Sequence, residues 1–284
     1  MSGHGIFERL FAGRWIAGPD IDDAISVARR FNGKGVSAVF NYLGEDLKDK
    51  GMVEDAVQVY SELIKRIGSE GIVASISVKP TQLGASISYK TFLSNYTRIV
   101  KLAKKNGVFV WFDMESSGMI DTVIRAYRKD MKSKDTGICL QAYLTRSYED
   151  AVGLCKKGAI IRLVKGAYNE PPDVAYQTKE AVTSNYVRIM EYLFRHSKRF
   201  MIATHDLGII EHAHRLDKGH KGEVEYAMLN GIRNRYAVAM AKKGDRVAVY
   251  IPFGRAWLNY SYRRLKEAGH ISLVLKSIFE DQGV

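Results

Sequence analysis

Arg263 and Arg264 are adjacent arginines near the carboxyl end of the chain, and Glu267 follows one helical turn later. Each guanidinium offers parallel N–H donors that match the two oxygens of a carboxylate, so the pair is suited to binding a small carboxylate. The pair follows the apolar run Val247–Ile251, which we predict to be a buried strand. A basic helix face in contact with solvent is the alternative interpretation of the two arginines.

Polar side chains also stand where other apolar, β-branched runs end. Each has an ordinary structural alternative: Lys79 as a surface lysine, Asp113 as a helix cap, and His205 as the neighbour of a helix N-cap. Taken together at one rim they favour a site over coincidence, and their excess of cations favours an anionic ligand. The set comprises Lys79, Asp113, Gln141, Arg162, Lys165, His205, Tyr250, Arg263 and Arg264.

Eight apolar runs alternate with longer segments whose apolar residues recur at helical spacing. This alternation predicts a parallel sheet, and eight such units fit one (β/α)8 barrel domain over residues 1–284. Residues 1–35 form an N-terminal helical segment in this prediction, with a helix at Asp20–Asn32 and Asp20 as its N-cap. A doubly wound sheet is the alternative, but the sequence has no G-x-G-x-x-G turn. The predicted strands are Val36–Tyr42, Gly71–Val78, Val108–Asp113, Gly137–Gln141, Ala159–Val164, Phe200–Thr204, Glu223–Met228 and Val247–Ile251.

Composition excludes several classes of protein. The chain is 46% hydrophobic and has a formal net charge of +12, and its apolar runs are too short for a membrane span. The N-terminus lacks the order of a signal peptide and the two cysteines, Cys139 and Cys155, do not make a disulfide scaffold, so we expect a cytoplasmic protein. A positive charge of this size is compatible with binding to nucleic acid or to an anionic membrane, or with a solvated cationic surface. Because the basic residues are scattered along the chain, we expect no nucleic acid partner. The sequence indicates no oligomeric state.

The same residues allow several kinds of chemistry to be weighed. Metal-dependent hydrolysis is disfavoured and we expect no metal, because the rim carries one histidine and no H-x-H or H-E-x-x-H pattern. Glycoside hydrolysis is disfavoured because Asp113 and Glu115 share one strand end, with no clear carboxylate opposite. The Lys165–Ala167 turn allows a polyanion or cofactor to approach its backbone closely. A Schiff base on Lys79 or Lys165 stays open at this point.

Three stretches of the chain are distinctive in order and spacing: Arg162–Tyr168, Ala203–His205, and Tyr250 followed by Arg263, Arg264 and Glu267. They resemble the proline dehydrogenase family of flavoenzymes, which oxidise L-proline to Δ1-pyrroline-5-carboxylate. The likeness starts at Arg14–Gly18 and covers nearly the whole chain. It implies a distorted (β/α)8 barrel with an extra helix, and a last helix that lies over the active site.

The resemblance also implies which residues contact the substrate. Lys79, Arg263 and Arg264 match the positions that hold the substrate carboxylate, and Glu267 pairs with the arginines. Asp113 and Arg162 match catalytic positions, with Asp113 pairing with Lys79 and Arg162 lying beside flavin N5. The residues that match the walls of the proline pocket are Tyr168, Tyr250 and Leu163.

A further set of residues matches positions that contact the flavin. FAD is the expected cofactor and FMN the alternative, because Asp206 and the Asn169–Pro172 loop depart from the family's pattern. The matching residues are Met114, Gln141, Arg162, Lys165, Gly166, Ala167, Thr204 and His205.

The implied reaction moves hydride from proline C5 to flavin N5, and the electrons then pass to an acceptor, for which the family implies a quinone. The chain's positive charge fits a peripheral contact with the inner face of a membrane. The rival hypotheses are another flavin-dependent barrel oxidoreductase, a lysine-dependent barrel enzyme that acts on a small carboxylate, and a basic binding protein without catalysis.

Overall fold

Eight parallel strands close into a barrel in which each strand pairs with its neighbours in chain order and the last pairs with the first. The computed structural model describes residues 15–131 and 133–256. The predicted (β/α)8 barrel is therefore confirmed. The strands are β1 (Ser37–Tyr42), β2 (Ala74–Val78), β3 (Phe109–Phe112), β4 (Thr136–Gln141), β5 (Ile161–Val164), β6 (Arg199–Ala203), β7 (Glu223–Leu229) and β8 (Arg246–Phe253).

Helices surround the barrel and connect its strands. The helix after Asp20 was predicted, and the Asp20 N–H donates to Asp23 Oδ2 at 3.3 Å, as expected at a capped helix start. The helices are α1 (Ile21–Asn32), α2 (Lys50–Ser69), α3 (Tyr89–Lys105), α4 (Ile120–Tyr127), α5 (Ser147–Cys155), α6 (Lys179–His196), α7 (Leu207–Asp217) and α8 (Asn234–Lys242).

Every strand differs from its predicted bounds at one end or both, and the backbone accounts for two of the larger differences. The predicted strand from Gly71 starts at Ala74, because Gly71 has a φ of +64° and the Ile72 N–H bonds back to Ile67 O at 3.1 Å. Strand β8 runs on through Pro252 to Phe253, two residues beyond its predicted end. Proline donates no hydrogen bond, but the Pro252 carbonyl accepts one from Ala17 N at 2.9 Å.

The segment that precedes α1 is part of the barrel rim. The Ala17–Pro252 bond and a second bond from Gly254 N to Gly18 O, at 2.9 Å, hold this segment beside the end of β8. Trp15 is thereby buried in a small cluster with Ile16, Leu43, Leu229 and Ile232. The Trp15–Gly18 segment thus lies at the end of the barrel at which the strands' carboxyl termini lie.

The barrel interior is filled by side chains that alternate with those facing the helices. Trp111 is its largest member, and Gly137 on the adjacent strand makes room for it. A Cβ added at Gly137 would lie 2.5 Å from Trp111 Cζ3 and 3.1 Å from Ile160 O. The residues of this interior cluster are Val39, Trp111, Ile160, Met201, Ala227 and Ala248.

Two glycine-to-alanine substitutions are predicted to change stability in opposite directions. Gly137→Ala lowers the free energy of unfolding by about 1–3 kcal/mol, because the methyl group overpacks against Trp111. Gly153→Ala in α5 has no atom within 4 Å of the added methyl group. It raises the free energy of unfolding by about 0.5–1 kcal/mol through helix propensity. Urea unfolding of the three proteins measures both, and equal effects at both positions would contradict the packing argument.

Candidate active site

A cavity opens at the carboxyl ends of the strands, where (β/α)8 barrels carry their chemistry. Its empty volume is about 1280 Å³, counting the part that is open to solvent. Its lining combines apolar side chains with a few convergent polar groups, as is typical of a ligand-binding cleft. The residues predicted from the sequence that line it are Lys79, Asp113, Met114, Gln141, Arg162, Lys165, Gly166, Ala167, Tyr168, Thr204, His205 and Tyr250.

Asp113 is the centre of the hydrogen-bond network in this cavity. Its Oδ1 accepts from Ser77 Oγ at 2.9 Å and from Arg162 Nη2, which also donates to Ser77 Oγ at 3.0 Å. Its Oδ2 accepts from Lys79 Nζ at 3.2 Å and from Tyr250 Oη at 2.9 Å. One carboxylate therefore joins side chains from the end of β2 and from within β5 and β8.

The position of Asp113 follows from the sheet register. Val78 and Phe112 are the last paired residues of β2 and β3, and the Asp113 N–H donates to Val78 O at 2.9 Å. Asp113 is therefore fixed by the last backbone bond of the ladder. Arg162 lies within β5 and faces inward, while its neighbour Leu163 faces the helices, as the period of two requires.

The charges of this network are strongly coupled. Burial opposes ionisation of Asp113, but Lys79 and Arg162 outweigh it and lower the pKa of the carboxyl group to about 2. Burial also opposes the charge of Lys79, yet Asp113 holds the pKa of its ammonium well above the ordinary value. Both side chains are therefore ionised at neutral pH.

Arg162 keeps donors that the described residues do not satisfy. Its Nε and Nη1 atoms are buried and make no hydrogen bond to nitrogen or oxygen within residues 15–131 and 133–256, and the neighbouring Cys139 thiol is a weak acceptor. Its guanidinium carbon lies 5.3 Å from the ring centroid of Trp111 and 5.4 Å from that of Tyr250. Because buried donors are normally paired, the guanidinium is arranged for an acceptor that a ligand brings. This observation fits the polar edge of a flavin or an anionic substrate.

A second charge pair lies on the β5–β6 side of the cavity. Lys165 Nζ donates to Asp206 Oδ2 at 2.9 Å and to Thr183 Oγ1 at 3.2 Å. Asp206 also caps α7, because its Oδ1 accepts from Gly208 N at 3.1 Å and Ile209 N at 3.3 Å. Burial opposes ionisation of Asp206, but the bond from Lys165 prevails and lowers its pKa. The helix start is thus tied to the lysine at the rim.

Gly166 and His205 are placed by backbone requirements. Gly166 has a φ of +116°, and a Cβ there would collide with the Tyr143 ring, so the turn after β5 requires glycine. His205 Nε2 accepts from Leu229 N at 2.8 Å, which assigns the ring proton to Nδ1 in the neutral tautomer. His205 therefore joins the ends of β6 and β7.

The loop after β5 is held by two neighbouring loops. Tyr168 Oη donates to Glu45 Oε2 at 3.2 Å. Glu170 accepts from Ser117 N at 2.6 Å and from Ser117 Oγ at 2.7 Å. The Asn169–Pro172 segment is therefore anchored through Glu170.

Leu163, expected beside the aromatic walls of the pocket, does not line the cavity formed by the described residues. Its side chain is buried in the core between sheet and helices, because it alternates with the inward-facing Arg162. Its backbone carbonyl accepts from Tyr186 Oη at 3.0 Å. The predicted Arg263, Arg264 and Glu267, and the last helix expected over the site, lie outside the described residues.

Several lining residues were not predicted. Cys139 stands two positions before Gln141 on β4, so strand alternation was a signal for it. The end of β7 is apolar and gave no signal of this kind, and Trp15 lies far away in sequence. The unpredicted lining residues are Trp15, Cys139, Val164, Ala203, Ala227, Met228, Leu229 and Ile232.

Two kinds of feature are absent from the described ranges. Residues 15–131 and 133–256 hold no group of three or more His, Cys, Asp or Glu side chains placed to bind a metal ion. Over the same ranges, no helix combines the length and the apolar character that crossing a bilayer requires. Cys139 and Cys155 are buried free thiols.

Replacing Asp113 is predicted to destabilise the chain more than breaking a surface ion pair. Asp113→Ala leaves Lys79 and Arg162 buried without their common carboxylate and lowers the free energy of unfolding by about 3–5 kcal/mol. The matched control is Glu54→Ala, which removes a half-exposed pair with Arg98 and costs about 1 kcal/mol or less. Denaturant unfolding at pH 7 compares the two variants.

The contribution of Asp113 to the free energy of unfolding is predicted to depend on pH. The pKa of Asp113 is about 2 in the folded protein and near its ordinary value of about 4 in the unfolded chain. Its contribution is therefore complete above about pH 4 and is lost as the pH falls towards 2. The stability gap between wild type and Asp113→Ala should narrow across this interval, and a gap unchanged from pH 5 to pH 2.5 would argue against an ionised Asp113.

Comparison with known proteins identifies the family. The sequence profile described as proline dehydrogenase matches residues 24–276. Proline dehydrogenase 2 of Bacillus subtilis is 31% identical over 264 residues, which cover 91% of this chain and 87% of that protein. The proline dehydrogenase of Deinococcus radiodurans is 32% identical over 265 residues, covering 90% and 86%.

Solved structures of proline utilization A (PutA) share the fold. The PutA of Bdellovibrio bacteriovorus, inactivated by N-propargylglycine, matches with a TM-score of 0.86 at 22% identity and covers all of this chain. A PutA with proline bound in remote sites matches with a TM-score of 0.76 over 93% of this chain. The present chain spans 37% and 32% of those longer chains, so it corresponds to about a third of each. With a family profile over most of its length and curated relatives above 30% identity, this chain belongs to the proline dehydrogenase family.

Proposed function

We propose that this chain oxidises L-proline to Δ1-pyrroline-5-carboxylate and uses a bound flavin as the acceptor of the electron pair. The substrate loses a hydride from C5 and a proton from its amine, which leaves the C5–N double bond of the product. The observation that carries this proposal is the buried Lys79–Asp113–Arg162 network in the cavity of a chain of this family. A flavin, when bound, supplies a two-electron acceptor that amino-acid side chains lack.

Lys79 is the proposed binder of the substrate carboxylate within the described residues. Asp113 keeps its ammonium charged, and only one of the three ammonium hydrogens is needed for the bond to Asp113 Oδ2. The remaining donors suit a carboxylate in the cavity. Arg263 and Arg264 are proposed, on the basis of the family resemblance alone, to complete this grip, with Glu267 pairing with them.

Asp113 is proposed to orient charges rather than to accept the amine proton. A carboxyl group with a pKa of about 2 is a weak base at neutral pH. Its oxygens already accept from Lys79, Arg162, Ser77 and Tyr250. The carboxylate therefore fixes the cation that binds substrate relative to Arg162 and to the Tyr250 ring, and Tyr168 is proposed as the second aromatic wall.

The flavin is proposed to lie against Arg162, whose Nε and Nη1 remain available among the described residues. FAD is the proposed form, because the cavity extends from Arg162 along the turn after β5 to Thr204 and His205. The Lys165–Asp206 pair balances charge at that end and leaves FMN as the alternative outcome. Heating the holoprotein and weighing the released flavin by mass spectrometry distinguishes the two. The other proposed contacts are Met114, Gln141, Lys165, Gly166 and Ala167.

A quinone is the proposed final electron acceptor, and peripheral contact with the cytoplasmic face of a membrane is the proposed location. The net charge of +12 supports this contact, because basic surfaces are attracted to anionic lipid headgroups. Flotation with anionic liposomes tests it: binding that weakens with salt is expected, and equal recovery with neutral and anionic liposomes would contradict it.

The lysine-dependent alternative is disfavoured by the charges of both lysines. A Schiff-base lysine must be neutral to attack a carbonyl group, and the pKa of Lys79 lies well above its ordinary value. Lys165 is held by the Asp206 carboxylate. The environment of Lys79 therefore opposes the neutral form that this chemistry requires, and the ion pair with Asp206 occupies Lys165.

The visible spectrum of the purified protein is predicted to respond to L-proline. Without oxygen, addition of L-proline removes the flavin absorption band, and admission of an electron acceptor restores it. D-proline serves as the stereochemical control. A flavin spectrum that stays unchanged in L-proline would refute proline oxidation while leaving the barrel and the cofactor in place.

Lys79→Met is predicted to weaken proline binding. The variant keeps the length of the side chain and leaves Asp113 paired with Arg162, so the KM for L-proline rises on the order of 10- to 100-fold. Lys48→Met, at an exposed lysine that pairs with Asp46, is the matched control and leaves the KM unchanged. Equal KM values for all three proteins in steady-state assays would remove Lys79 from the substrate site.

A further inference from the structure

Glu115 is a buried carboxylate that the proposed reaction does not use. It follows β3 by three residues and is 3% exposed. Its Oε2 accepts from Thr81 N at 2.8 Å, and its Oε1 accepts from Thr81 Oγ1 at 2.6 Å. Burial raises the pKa of this group against the effect of Lys79, so burying this carboxyl group has an electrostatic cost. A buried carboxylate whose two oxygens both accept hydrogen bonds from one residue is suited to holding that residue in place.

The backbone ladder between β2 and β3 ends just before this contact. The Asp113 N–H to Val78 O bond is its last member, and Pro80 has no N–H with which to extend it. Within the described part of the chain, no backbone bond joins residues 79–81 to residues 113–115 beyond that point. The side chain of Glu115 takes over the connection by accepting the Thr81 N–H.

Two side-chain bridges therefore run in parallel from one strand end to the other. The first joins Lys79 Nζ to Asp113 Oδ2 at 3.2 Å and belongs to the proposed substrate site. The second joins Thr81 to Glu115, and each of these residues lies two positions after its counterpart in the first bridge. Because Lys79 and Thr81 are separated only by the rigid Pro80, a shift at the second bridge moves the backbone from which Lys79 extends.

The Thr81–Glu115 bridge also reaches the strands on either side. Thr81 Oγ1 accepts from Asp46 N, in the loop after β1, at 2.8 Å. The main-chain carbonyl of Glu115 accepts from Gln141 Nε2, at the end of β4, at 2.8 Å. Four consecutive strand ends thus meet through Thr81 and Glu115, and Gln141 is itself a lining residue of the cavity.

We propose that Glu115 is a positioning residue that, through Thr81, sets the place of Lys79 against Asp113 and so determines the affinity for the substrate carboxylate. This inference rests on the proposed oxidation of proline. Glu115 acts through Lys79 rather than on the reacting atoms, so its removal weakens binding of the carboxylate and leaves the rate of turnover at saturation largely intact.

Steady-state kinetics of Glu115→Ala and Thr81→Val tests this role. Thr81→Val preserves shape and removes only the hydroxyl group, whereas Glu115→Ala removes both bonds to Thr81. We expect the KM for L-proline to rise about tenfold in each variant, with kcat changed less than about twofold. If Glu115→Ala does not fold, Thr81→Val decides the question.

Tyr127→Phe is the matched structural control. Tyr127 is fully buried at the opposite end of the barrel, where its hydroxyl accepts from Ile160 N at 3.1 Å and donates to Thr136 O at 3.3 Å. Loss of the Tyr127 hydroxyl leaves the buried Ile160 N–H unpaired, just as loss of Glu115 leaves the Thr81 N–H unpaired. We expect this control variant to have a lower melting temperature and an unchanged KM for L-proline. A KM that rises equally in Tyr127→Phe would reduce the Glu115 effect to general destabilisation and overturn the proposal.

Coupling to Lys79 separates positioning from an independent effect. If Glu115 acts through Lys79, the double variant Lys79→Met with Thr81→Val shows a KM no more than about twofold above that of Lys79→Met alone. Multiplication of the two single effects would overturn the proposal. So would unchanged KM values in both Thr81→Val and Glu115→Ala.

A binding measurement keeps this test distinct from that of the reaction. Calorimetric titration of the holoprotein with cyclopentanecarboxylate, a five-membered ring acid without the amine, measures carboxylate binding alone. About tenfold weaker binding in Thr81→Val supports the role of the bridge, and equal or undetectable binding in both proteins overturns it. Failure of L-proline to remove the flavin absorption of the wild type refutes the oxidation instead, whatever the titration shows.

Discussion

The candidate site depends on one interaction, the sharing of the buried Asp113 carboxylate by Lys79 and Arg162. Two cations can remain charged in a closed barrel only if a counterion lies between them, and a carboxyl group can remain ionised there only beside cations. The pKa of Asp113 and that of Lys79 shift in opposite directions for this one reason. Asp113 and Lys79 are therefore both ionised because they share this network, in which the arginine is a permanent cation.

The barrel supplies the geometry that this interaction needs. Residues at the ends of β2, β3, β5 and β8 are distant in sequence, and closure of the sheet brings them around one carboxylate. The tight layer beneath them, in which Trp111 packs into the space left by Gly137, supports Arg162 from below. Rigid packing of the interior is thus the source of a fixed guanidinium at the cavity floor.

Much of this arrangement could be predicted from the sequence, and the exceptions have physical causes. The alternation of apolar runs and helices predicted the barrel, and the strand-end rule gathered Lys79, Asp113 and Arg162 at one rim. That Asp113 accepts from four side chains could not be predicted, because it depends on the register across the closed sheet. Leu163 does not line the cavity formed by the described residues, as the period of two indicated, since it directly follows an inward-facing residue. The start of β2 was misplaced because a sequence shows a glycine but not its positive φ.

The segment from Trp15 to Gly18 has a practical consequence for anyone who shortens or fuses this chain. It hydrogen-bonds to the end of β8 and packs against Leu229 and Ile232, so it belongs to the barrel although it precedes α1. A version that starts at the α1 helix would expose those apolar side chains to water at the mouth of the cavity and would be prone to aggregate. Purification tags and fusion partners are therefore best joined to the chain upstream of Trp15.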